Sequence, residues 1–124
     1  MKKNLTIMFG IAAFALLFAN FANAQDKNIK LVKGRKMIIK SEVSDKKDRT
    51  YFFKAKKGQN FTIKLIGRDA VFILAAQHNF DSENFTEETK SWTGKLPNAD
   101  SGEYAIRLSS NYKVASYTLE ITLK

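Results

Sequence analysis

A two-residue beat constrains this chain more than any other feature. Tyr51, Phe53 and Ala55 fall two apart, and Phe61, Ile63 and Leu65 alternate with polar residues. Tyr104, Ile106 and Leu108 repeat the pattern, and Tyr117, Leu119, Ile121 and Leu123 carry it to the end. Side chains two apart share one face of an extended strand, whereas a helix would repeat them at three and four. No stretch after residue 24 sustains a helical period. Several short strands separated by turn residues predict an all-β fold, an antiparallel jelly-roll-like β-sandwich forming a single domain. Within it, "YFFKAKKGQNFTIKL", Tyr51 to Leu65, reads as a β-hairpin turning through Lys54 to Gln59, with Gly58 supplying a positive φ. The runs on either side of Ser109 to Lys113 read as a closing hairpin. Asn28 to Val43 reads as one or two strands interrupted near Gly34, and Gly67-Arg68-Asp69 as a turn. Val71 to Ala76 is apolar on both faces, as in a strand inside a sandwich or beneath a covering loop. Gln77 to Asp100 is a polar loop with one short strand near Ser91 to Leu96.

Residues 1–24 are expected to be a signal peptide. Lys2 and Lys3 precede thirteen apolar or glycine residues, Ile7 to Ala19, and Ala22-Asn23-Ala24 offers small residues for cleavage before Gln25. That run is short of the roughly twenty residues that span a bilayer. Residues 25–124 are then an exported domain, periplasmic or secreted, with no membrane insertion after cleavage. The sequence holds no cysteine, which removes disulfides, thiolate metal sites and a lipid-anchoring thiol.

The chain is basic, with 21 Lys/Arg against 12 Asp/Glu, and lopsided. Residues 25–68 carry 14 Lys/Arg against 4 Asp/Glu, and residues 69–124 carry 5 against 8. An exported basic surface suits anionic envelope polymers or acidic protein surfaces, and lysines also keep strand edges from aggregating. Aromatics interleave with lysines from Arg49 to Lys57, but Tyr51 and Phe53 point inward, and export argues against a nucleic-acid partner. Catalytic chemistry is not signalled. His78, Asp81 and Ser82 are close in sequence without an oxyanion site, and one histidine cannot hold zinc. Asp81, Glu83, Glu87 and Glu88 lack the spacing of a known calcium loop. No cofactor or metal is implied. Trp92, between Ser91 and Thr93 and near Lys95, can stack on a sugar, anchor a protein interface or pack over an open end of the sandwich. Phe80 and Phe85 share that ambiguity.

Three patches carry a resemblance. "YFFKAKKGQNFTIKL", "DAVFIL" and "ADSGEYAIRL" with "SYTLEITL" resemble, in order and spacing, the bacterial pre-peptidase C-terminal domain. As a lone exported sandwich the chain is most similar to the periplasmic inhibitors of g-type lysozyme, which share Tyr-x-Phe-x-Ala-Lys-Lys-Gly-Gln, here Tyr51 to Gln59. The resemblance implies a non-enzymatic protein that occludes the cleft of a lysozyme-like hydrolase. Tyr51 matches the family position. In the final loop, where the inhibitors carry arginines, this chain has Ser109 to Val114, so Tyr112 and Lys113 stand in, with Lys90, Trp92 or Lys95 as further contacts. The alternatives are a module binding envelope glycan through the aromatic loop and basic face, and an accessory domain of a secreted protease.

Overall fold

The computed structural model describes residues 26–124, and the expected leader lies outside them. Nine strands form: β1 (Asp26–Asn28), β2 (Lys36–Ser44), β3 (Arg49–Lys54), β4 (Asn60–Ile66), β5 (Ala70–Gln77), β6 (Ser82–Asn84), β7 (Ser91–Lys95), β8 (Glu103–Ser110) and β9 (Val114–Leu123). They make a five-stranded sheet, β1-β3-β8-β5-β6, and a four-stranded sheet, β2-β9-β4-β7. The fold is an all-β sandwich. Every pairing is antiparallel except β1 with β3, which is parallel, a departure from the fully antiparallel expectation.

The predicted hairpins are not hairpins. β3 and β4 lie in different sheets, and so do β8 and β9. Alternation fixes which residues face inward, and it is the same whether the next strand pairs alongside or crosses to the facing sheet. Here the connections cross. Phe53 and Phe61 meet face to face across the interior, with ring centroids 4.9 Å apart and planes 7° from parallel. Gly58, at φ 85°, takes the turn, where Gln59 N–H donates to Lys56 C=O and Lys56 N–H to Gln59 Oε1. The turn is fixed to the loop after β7 by Gly58 N–H on Leu96 C=O and Leu96 N–H on Gln59 C=O. The hairpin within one sheet is β5 to β6, through His78 to Asp81.

The interior contains the residues that the two-residue beat selected: Tyr51, Phe53, Phe61, Ile63, Leu65, Tyr104, Ile106, Leu108, Tyr117, Leu119, Ile121 and Leu123 are all buried. β5 is buried on both faces, as its composition predicts. Phe72, Leu74 and Ala76 join the core, and on the far face Ala75 lies opposite Ala105, whose other neighbour is Phe52. Thr89 exchanges both backbone bonds with Phe72, so the segment before β7 lines the edge of β5.

One polar cluster interrupts this interior. Tyr51 and Tyr117 share a hydroxyl hydrogen bond of 2.6 Å. Arg49, itself buried, lies beside Tyr51, and Ser41 lies beside Tyr117. Burial pushes the Tyr51 phenol up against the lowering influence of its bond to Tyr117 and of Arg49. Burial and the adjacent Tyr51 push Tyr117 up further, and burial alone raises Tyr104. Above about pH 10 an unfolded chain ionises its phenols while the folded one keeps these protonated. The unfolded state then binds fewer protons, so this contribution is intact below about pH 10 and is lost as pH rises past it.

Removing one hydroxyl leaves its buried partner short of a bond, which costs about 1 to 3 kcal/mol. Tyr51→Phe and Tyr117→Phe should each lower the unfolding free energy by that order, and the double variant should lose less than the sum. Urea unfolding of the four proteins tests this. Repeated at about pH 10 and above, it should show a shallower alkaline loss in the double variant than in the parent.

Candidate functional site

Three turns converge at one end of the sandwich: Asp45 to Asp48 between β2 and β3, Gly67 to Asp69 between β4 and β5, and Asn111 to Lys113 between β8 and β9. Asp45 N–H donates to Lys113 C=O at 2.8 Å, and Asn111 N–H to Asp69 C=O at 2.8 Å. The last turn is built locally. Ser110 Oγ accepts from Tyr112 N–H and donates to Tyr112 C=O, both at 3.1 Å, and Lys113 takes φ 50°. Few non-glycine residues adopt that conformation, and here it sets Tyr112 outward. Tyr112 is 57% exposed, Val114 60%, and Lys113 Nζ lies 5.2 Å from the Tyr112 ring centroid. These turns bring Lys46, Lys47, Arg68 and Lys113 to the same end, beside Asp45, Asp48 and Asp69. An amphipathic ring with a cation over it, on a braced turn, suits a protein contact.

Of the residues singled out in the sequence, Tyr112 and Lys113 meet here, and Lys90 braces the neighbouring β4–β5 turn. Tyr51 is 0% exposed, its hydroxyl bonded to Tyr117 in the core, so it offers no surface to a partner. Trp92 lies on β7 opposite Ile63 and turns inward. It packs edge-on against Phe85, 5.4 Å between centroids, and its ring covers Gly94, where an added Cβ would come within 2.9 Å of it. Phe85 in turn meets Tyr104, so the two loop aromatics close the gap between sheets and Phe80 alone stays fully exposed. Lys95 ends β7 at the opposite end, across from Asn60 and near the Lys56-Lys57 turn. Lys90 is structural: Nζ donates to the carbonyls of Gly67, Arg68 (3.1 Å) and Ala70 (2.9 Å), tying down the β4–β5 turn.

His78 is held between two loops. Its side chain is one-fifth exposed, with Nδ1 3.1 Å from Asp100 Oδ2 and Nε2 3.5 Å from Glu83 Oε1. Both ring nitrogens face carboxylates, Nδ1 also accepts from Asp100 N–H at 3.3 Å, and the contact ties the β5–β6 turn to the loop before β8. Among the described residues, no group of three or more His, Asp or Glu is arranged to hold a metal ion.

The chain superimposes on the Aeromonas hydrophila PliG, a periplasmic lysozyme inhibitor of g-type lysozyme, with a TM-score of 0.61 and 21% identity over 80% of this chain and 99% of that one. The chain shares the fold of these inhibitors. A PliG mutant from Escherichia coli matches at 0.62 and 23% identity, covering 82% of this chain and 99% of its own. The pre-peptidase C-terminal domain of a Bacillus anthracis collagenase matches at 0.52 and 13% identity, covering 82% and 96%. No protein-family model and no curated protein sequence matches.

Lys90→Met should cost about 1 kcal/mol, since bonds from a charged donor contribute about 1.5 to 3 kcal/mol but this ammonium is partly in water. Lys95→Met should stay within about 0.5 kcal/mol of the parent. Denaturant unfolding separates the two, and faster amide exchange in the segment 67–70 should accompany only the first.

Proposed function

We propose that this protein is a non-catalytic, periplasmic inhibitor that binds a g-type lysozyme and occludes its active-site cleft. The observation that carries the reading is that the fold matches PliG inhibitors along 99% of their own length, so the match spans the inhibitor as a unit. The leader reading of residues 1–24 and the sandwich over 25–124 are part of the same proposal, and export would bring the protein to where cell wall is cut. Tyr112 and Lys113 are the contact we assign to the enzyme. Glycoside hydrolases work with carboxyl groups in their clefts, and a lysine on a braced turn complements that charge while the ring fills space. A lysine gives a point charge where an arginine would give a planar fork, so binding here leans more on the ring and on shape. The glycan-binding alternative loses its main platform, because Trp92 is packed inward.

Titrating the protein into turnover assays with cell-wall substrate should inhibit a g-type lysozyme, saturating near one equivalent, and leave a c-type lysozyme untouched. Tyr112→Ala and Lys113→Glu should each weaken inhibition about tenfold or more, the effect of losing about 1.4 kcal/mol or more at the centre of an interface. Absence of inhibition at large excess contradicts the proposal.

A further inference from the structure

The two sheets end in four edge strands of unequal length. β1 and β6 have three residues each and β7 has five, whereas β2 has nine and pairs with β9 without a break from Lys36 opposite Thr122 to Ser44 opposite Val114. Short edges protect themselves by offering few backbone groups. β2, with no proline, glycine or bulge, directs alternate N–H and C=O groups away from β9 from Lys36 to Glu42, and at Ser44 the C=O already accepts from Lys47 N–H. Its inner face carries Ile39 and Val43 into the core, and its outer face presents Lys36, Ile38, Lys40 and Glu42, with Ile38 55% exposed.

Lysines on an edge usually repel a second strand, and Glu42 reverses that effect in one register. We propose that β2 is a self-association edge, pairing antiparallel with β2 of a second copy about a two-fold axis at Ser41. In that register Lys40 lies opposite Glu42 of the second copy, and symmetry repeats the pair. On the inner face Ile39 lies opposite Val43, and the pairing stops short of Ser44, where Lys47 already bridges to the edge. Moving the axis one residue, to Lys40, would set the two Lys40 side chains against each other, which like charges directly opposite disfavour. The interface is isologous and closes as a dimer, joining two four-stranded sheets end to end. It lies on the flank of the sandwich, and the end of β2 at Ser44 stands opposite Val114, next to the Asn111 to Lys113 turn.

Sedimentation equilibrium of the purified protein over a range of concentrations tests the pairing. The parent should show a reversible monomer–dimer equilibrium. Lys40→Glu and Glu42→Lys should each weaken dimerisation about tenfold or more, because each sets two like-charge pairs across the axis, and the double exchange should restore it to within about threefold of the parent. Both positions are exposed, and matching thermal melts of the monomers would establish that folding is unaffected. A parent that stays monomeric at every concentration overturns the proposal, and so does a double exchange that dimerises no better than either single change.

Discussion

The contact of Phe53 on Phe61 across the sandwich interior is what the rest of the structure depends on. The two residues belong to consecutive strands, and their rings meet because the short connector between them crosses from one sheet to the other. Once consecutive strands face each other, backbone pairing must come from strands distant in sequence. β3 finds β8, β4 finds β9, and β2 finds β9 from the other side. The chain therefore closes only when its last two strands are in place, which gives a fold dominated by long-range pairing and a slow route to it.

The two ends of this sandwich are sealed by different chemistry. At the end holding Phe53 and Phe61, rings accumulate: Tyr104 stacks on Phe53, Phe85 meets Tyr104 edge-on, and Trp92 covers Phe85. The Tyr104 hydroxyl leaves this apolar cluster by donating to Pro97 C=O at 2.6 Å. Toward the other end polar groups replace ring contacts: Tyr51 and Tyr117 share their hydroxyl bond, with Arg49 and Ser41 beside them. Buried polar groups are tolerated only with partners, so this bond sets β3 against β9 in a way that apolar packing would not. The exposed Tyr112–Lys113 turn stands on the same end.

Much of this was legible in the sequence, and the boundary is physical. Alternation named the inward residues of β3, β4, β8 and β9, and apolar character on both faces marked β5, because burial is imprinted on side-chain polarity strand by strand. Neighbour choice is not imprinted that way, so two crossings read as hairpins. The short β6 and the parallel β1 were missed because three residues carry too little pattern. Trp92 fell in the short strand read near Ser91 to Leu96, and of its readings the structure takes packing over an open end of the sandwich. Its inward direction depends on Gly94, whose missing side chain makes room for the ring, and that signal was present two positions away. Tyr51 carried the family pattern and turned out to serve the core, whereas Tyr112 and Lys113 were placed by a turn that bonds within itself.

The sequence pattern and the shared fold of the PliG inhibitors describe the scaffold alike, and we propose that the enzyme sits at one end of it, on the turn bearing Tyr112 and Lys113. Amide hydrogen exchange of the protein, alone and with a g-type lysozyme in excess, tests that claim most directly. The account predicts slower exchange confined to the segments 45–48, 67–69 and 110–114. Protection at the opposite end, around 56–59 and 95–102, with none at the Tyr112 turn, would contradict it.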